Sequence, residues 1–284
     1  MKGLTRRNLL MFFRDRSNVF FSMLAVIIVF MLYILFLGDM YAGNFQGEGV
    51  RSMMNYWLMA GLITVTTVTS TLGAFSLIPY DRETKRIKDF NSSPLSGAEI
   101  SAAYIISALV IGVIMSLIAL ICAQAYILLQ GGVLMRLETL AKTLGLIVLS
   151  VISGSAMVYL MAALFKSRNA FGTAFSVTST LLGFLTGIYI PIGYLPKAVQ
   201  GFIKVFPSAH AAALMRQVLM EDSMAKVFAG APAAIIEENS QVLGVMFKIG
   251  DQTVSPLASV LILLGSSLLF FALAIAIMSG KRRD

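Results

Sequence analysis

The sequence predicts an all-α polytopic membrane protein with six transmembrane helices, and three observations carry that reading. Hydrophobic residues make up 58% of the 284 and charged residues only 13%, against roughly 45–50% and about 25% in soluble domains. Six stretches are apolar and long enough to cross a hydrocarbon core about 30 Å thick, which takes about 20 helical residues, and none of the six contains Asp, Glu, Lys or Arg. Finally, the formal net charge of +8 gathers on the segments that these crossings place on one side.

Residues 1–18 open the chain with Lys2, Arg6, Arg7, Arg14 and Arg16 set around the apolar run Leu9 to Phe13, a pattern suited to a helix lying in the membrane interface. The first span, residues 19–37, has fourteen Val, Ile, Leu or Phe in nineteen positions. Each is worth roughly −0.3 to −0.6 kcal/mol on insertion, so the sum favours the membrane by several kcal/mol. It reads as a retained signal anchor, since the run is too long for a leader and no small-residue cleavage site follows. The remaining spans are expected at 57–79, 104–129, 144–165, 170–195 and 257–279, in one membrane domain covering 1–284. Lys and Arg outside the spans number 14 on one side and 8 on the other; with acids included, those sides carry +8 and zero. By the positive-inside rule both termini and the 80–103 loop are cytoplasmic, in the cell membrane. The basic groups there meet anionic headgroups, which argues against nucleic acid as a partner.

Two stretches between spans call for structure of their own. Within the 80–103 loop, charges at 81–90 surround Ile87 and Phe90, which at i,i+3 share a face of a short amphipathic helix. Ser96-Gly97-Ala98-Glu99 then forms a capping box for the third span. A solvated connector would gain nothing from two exposed apolar side chains, whereas a docking surface would. Over 197–256, Val199, Phe202, Ile203 and Phe206 repeat at i, i+3, i+4 and i+7. Pro207 ends the pattern, and Ser208 can cap a second helix reaching about Met220. Two short re-entrant helices in the outer leaflet are expected, followed by an extension over 221–256 in which Gly250-Asp251 turns a small hairpin.

What is missing narrows the chemistry. No G-x-x-x-x-G-K-[ST] or G-x-G-x-x-G occurs, so no phosphate-cradling loop is present and nucleotide energy has to come from elsewhere. One cysteine (Cys122) and one histidine (His210) cannot assemble a tetrahedral Cys/His metal site or a redox pair. Spans without ionisable side chains argue against ion-driven transport. An intramembrane serine protease would use Ser267 with His210 as base, but it expects Gly after the serine where Leu268 stands; close helix packing is the plainer reading of Gly265-Ser266-Ser267. The second and fifth spans are rich in hydroxyls. Thr64, Thr67 and Thr71 share one face of the second, and Thr173, Ser176 and Thr180 lie on the fifth. Such rows either bond back to their own helix or make a weakly polar wall for an amphipathic substrate.

Taken together, the basic N-terminal segment, the six spans with both ends inside, the loop ending Ser93-Pro94-Leu95-Ser96, and the stretches Gly187-Ile188-Tyr189-Ile190-Pro191, Tyr194-Leu195-Pro196 and Phe206-Pro207-Ser208-Ala209-His210 with Arg216 resemble the permease subunits of ABC-2 type exporters. The resemblance covers nearly the whole chain. It implies an N-terminal elbow helix and a dimer with a second permease, identical or different. It also implies a separate cytoplasmic ABC ATPase that holds ATP and magnesium, this chain binding no cofactor. Glu83, Ile87 and Phe90 would form the coupling helix against that ATPase. The second and fifth spans would line the path of a drug, peptide, lipid or glycan. The family often places Gly shortly after the glutamate matching Glu83, and here Lys85 and Arg86 stand there. A non-catalytic scaffold or immunity protein is a further alternative.

Overall fold

In the computed structural model, residues 1–37 and 49–280 are described; residues 38–48 and the basic tail at 281–284 lie outside them. The chain is helical almost throughout, with α1 (Lys2–Arg14), α2 (Arg16–Leu32), α3 (Val50–Phe75), α4 (Leu77–Glu83), α5 (Arg86–Asn91), α6 (Gly97–Leu129), α7 (Leu137–Leu164), α8 (Arg168–Leu185), α9 (Lys197–Ile203), α10 (Pro207–Leu219), α11 (Glu221–Val227), α12 (Ala233–Val242) and α13 (Pro256–Gly280). Between α12 and α13 lies the hairpin β1 (Lys248–Ile249) and β2 (Gln252–Thr253).

Among the described residues, four helices are long and apolar enough to cross a membrane: Val50–Glu83, Gly97–Leu129, Leu137–Leu164 and Pro256–Met278. The bent pair Arg16–Leu24 and Val26–Leu35, which meet at 45°, makes a fifth crossing if the two are one span. These make the chain a multi-pass membrane protein. The span expected at 170–195 is shorter in the structure. α8 stops at Leu185 because Gly187, at φ 70, takes the left-handed position that ends a helix. The amides of Gly187 and Ile188 bond to the carbonyls of Phe184 and Gly183, which is the Schellman pattern. Eighteen residues reach only about 27 Å at 1.5 Å each, and the apolar residues beyond fold back, with Ile188 buried.

α3 is the central helix. Its apolar window is buried throughout among α2, α6, α7 and α10, whereas α13 keeps most of its window outside, with Leu257, Leu261 and Leu268 exposed. Small residues let the inner helices approach closely: a Cβ on Gly112 of α6 would lie 3.1 Å from Thr71 Cγ2, and one on Gly154 of α7 would lie 3.2 Å from Val68 Cγ2.

Local expectations meet three outcomes. The capping box at Ser96 and Glu99 is present in both directions, and the hairpin turns at Gly250-Asp251, pairing Ile249 with Gln252. The single amphipathic helix expected over 81–90 is instead two, α4 and α5, broken where Lys85 adopts φ 59. Both short helices after α8 exist, but Ser208 does not cap the second. Phe206 occupies the cap position without a side-chain bond and Pro207 begins the helix, the place where a missing amide proton costs least.

Candidate functional site

Where α3 runs through Ser76 into α4, the helix ends in Asp81-Arg82-Glu83. Successive residues on a helix point about 100° apart, so these three side chains leave in three directions, and each finds a different helix. The Asp81 side chain is fully buried. Its carboxylate accepts from both terminal nitrogens of Arg7 on α1, at 2.6 and 2.5 Å, and from the Tyr104 hydroxyl on α6, at 2.5 Å. Arg82 Nη1 donates to the carbonyls of Ala162 and Phe165, at 2.9 and 2.6 Å, at the C-terminal end of α7. Glu83 accepts the amide of Arg168, the first residue of α8, at 3.3 Å. The signs agree with the helix dipoles: a cation lies at the C-terminus of α7 and an anion at the N-terminus of α8.

The loop helix is tied into the same node. The Arg7 guanidinium lies 5.3 Å from the Phe90 ring centroid, and Phe90 packs on the core formed by Phe12, Leu72, Phe75 and Tyr104. Burial pulls the Arg7 pKa down, and the hydrogen bond and charge of Asp81 raise it by more, so it stands above its usual value. Phe90 therefore faces inward and Ile87 is half-buried, while Lys85, Arg86, Lys88 and Asp89 form the exposed side of α5. The surface this loop shows is charged, not the pair of bare apolar side chains that the sequence spacing suggested. Tyr80 is flanked by two cations, Arg86 at 5.3 Å and Arg168 at 5.4 Å from its ring centroid.

The hydroxyl rows separate. Thr64, Thr67 and Thr71 are fully buried in the seam of α3 with α6 and α7, and each donates to its own helix: Thr64 to Ala60 at 2.8 Å, Thr67 to Thr64 at 2.7 Å and Thr71 to Val68 at 2.8 Å. Thr173, Ser176 and Thr180 also bond back along α8, yet they are exposed. They share one face of α8 with the exposed Val177, Leu181 and Phe184. The structure does not bring the two rows onto a common surface.

Ser267 and His210 are not brought together. The Ser267 hydroxyl donates to Leu263 of its own helix at 2.5 Å. His210 Nε2 lies 2.9 Å from the Lys204 carbonyl, so it carries the proton, and Nδ1 accepts from Ser259 at 3.1 Å. The imidazole thus pins the start of α13 to α10, and the serine protease alternative loses its dyad.

At the opposite end of α3, Arg216 of α10 is fully buried. It donates to the carbonyls of Thr186 at 2.8 Å and Gly244 at 3.4 Å, which close α8 and α12, and its guanidinium lies 5.0 Å from the Trp57 ring centroid. Trp57 Nε1 donates to Leu243 at 2.8 Å. Sequence reasoning noted Arg216 only within a motif, and it passed over Arg7, Asp81, Arg82 and Tyr104. The one signal for Asp81 was its place directly after a long uncharged run.

A search of curated proteins returned no match. The model of one family, described as ABC-2 type transporter, matches residues 1–220, a stretch that contains the whole Asp81 node and Arg216. More than half of the chain is matched, and it carries four to five membrane-crossing helices: the protein belongs to the ABC-2 type transporter family, as a transporter permease.

Proposed function

We propose that the chain is the membrane half of an ATP-driven exporter, paired with a second permease and with a separate cytoplasmic ABC ATPase. Its cargo would be an amphipathic or lipid-like substrate. The observation that carries this reading is the node at Asp81-Arg82-Glu83. A push on α5 meets a rigid junction that holds α1, α6, α7 and α8 at once, which is what a short loop needs in order to move a bundle. ATP must bind the closed ATPase pair more tightly than the open pair, and that difference is all the free energy available to shift the permeases. Glu83 transmits to α8 through the Arg168 amide, Phe90 to α1 through Arg7, and Ile87 with the charged rim of α5 meets the ATPase. Both termini and this loop then lie in the cytoplasm, in keeping with the positive-inside asymmetry.

The substrate path is assigned first to the exposed face of α8. Thr173, Ser176 and Thr180 alternate there with Val177, Leu181 and Phe184, giving the weakly polar wall that an amphipathic cargo requires. Thr64, Thr67 and Thr71 join that path only in a state where α3 parts from α6 and α7. The test is reconstitution with the candidate ATPase. Ile87→Asp and Glu83→Lys should leave the protein inserted and folded while transport and substrate-stimulated ATP hydrolysis fall at least tenfold. Normal export by the double variant would overturn the coupling assignment.

A further inference from the structure

A cleft of about 1270 Å³ opens between α1, the start of α2, the junction of α3 with α4, and the start of α8. It exceeds the roughly 300–1,000 Å³ of ordinary small-molecule sites. Its rim and walls differ in kind. Arg7, Arg14 and Arg168 border it together with Leu10, Phe21 and Phe175. Arg7 is committed to Asp81, but among the described residues Arg14 is exposed and makes no hydrogen bond or ion pair, and the Arg168 guanidinium rests only on Tyr80. The one acid on the lining, Asp15, is occupied in capping α2 through the Asn18 amide at 3.0 Å. Leu10 and Phe21 are 40% and 58% exposed.

We propose that this cleft binds an anionic phospholipid of the adjoining leaflet, its phosphate between Arg14 and Arg168 and the first part of its acyl chains along Phe21, Leu10 and Phe175. Asp15 alone separates α1 from α2, so the cleft lies where an interfacial helix turns into a span, the depth at which headgroups meet acyl chains. A soluble anion would satisfy the arginines and leave Phe21 and Leu10 in water, whereas a zwitterionic lipid would bring its own cation against two unpartnered ones. The bound lipid would bridge α1 to α8 beside their link through Asp81 and Glu83. The inference rests on the membrane placement of the chain and not on ATP-driven export.

The test uses the full-length protein in mild detergent, titrated with phosphatidylglycerol, with phosphatidylcholine and with inorganic phosphate, and read as a rise in Tm. Phosphatidylglycerol alone should raise Tm saturably. Arg14→Gln/Arg168→Gln should require roughly 25-fold more lipid, since each arginine near a charged leaflet contributes about a factor of five. Arg6→Gln, an exposed cation of α1 outside the cleft, should leave the titration unchanged. Equal shifts with phosphatidylcholine, equal shifts with phosphate alone, or an unchanged titration in the double variant would each overturn the proposal. Should the double variant not fold, phosphatidylglycerol with a photoreactive acyl chain decides on the wild-type protein. Adducts within residues 10–21 or 168–175 support the site, and adducts confined elsewhere refute it.

Discussion

Replacing Arg7 by Met is the sharpest probe of the node. The substitution leaves the Asp81 carboxylate fully buried with only the Tyr104 hydroxyl to hold its charge. Breaking a buried ion pair from one side costs about 3–5 kcal/mol. The Arg7 side chain is 24% exposed, so solvent already screens part of the attraction and the low end, about 3 kcal/mol, is expected. At about 2–4 °C per kcal/mol for chains approaching this size, Tm should fall by roughly 6–12 °C. Asp81→Asn keeps an acceptor for Tyr104 and strands a cation that can still reach water, so about 1–2 kcal/mol is expected. The informative measurement is the double variant Arg7→Met/Asp81→Asn, melted in the same detergent at the same scan rate. With neither charge left to be stranded, it should be no less stable than Arg7→Met alone. If the two losses simply add, with a coupling below about 0.5 kcal/mol, the side chains do not act as a pair and the node is not the rigid junction described.

Further outcomes follow from single positions. Lys85 holds a left-handed backbone, φ 59, which glycine adopts freely, so Lys85→Gly should raise stability by about 1 kcal/mol and Lys85→Val should lower it, both measured as Tm. Gly244→Ala meets strain at φ 67 and places its Cβ 2.6 Å from Ile192 Cδ1 and 2.9 Å from Arg216 Nη1; a loss of about 2 kcal/mol or more is expected from thermal melts. Ser267→Ala should leave transport by the reconstituted complex unchanged, and its abolition would revive a chemical role for that hydroxyl. Ser259→Ala removes the donor to His210 and should cost about 1 kcal/mol in Tm measurements.

Much of the bundle was legible because hydrophobic length is a strong signal in a chain with so few charges. The third, fourth and last spans end within a residue of expectation and the last also begins there, whereas α6 and α7 start seven residues early, where their first turns still carry polar groups such as Glu99 and Glu138. The capping box and the Gly250-Asp251 turn were readable because their chemistry is local. The early stop of α8 had a local signal too, Gly187, but the eight uncharged residues after it, 188–195, matched the continuous pattern of a span. The node was illegible for a different reason. Ile87 and Phe90 share a face in any helix, and nothing in the spacing says whether that face meets a partner or the protein itself. It took Arg7, 83 positions away from Phe90 in sequence, to turn the ring inward. The threonines of α3 likewise gave a true account of which helix is hydroxyl-rich, while burial against Gly112 and Gly154 was a matter of three helices at once.

The placement of Trp57 has an optical consequence. It is the chain's only tryptophan, wholly shielded from water and wedged under the Arg216 guanidinium, about 36 Å along the helix from Asp81 at 1.5 Å per residue. Its ultraviolet emission is therefore a native lamp at the remote extremity of the molecule, and Cys122, solitary and accessible on α6, offers an anchor for an energy-transfer dye. A stopped-flow trace of that single indole would clock how long the proposed stroke, delivered at one surface, takes to be felt at the other.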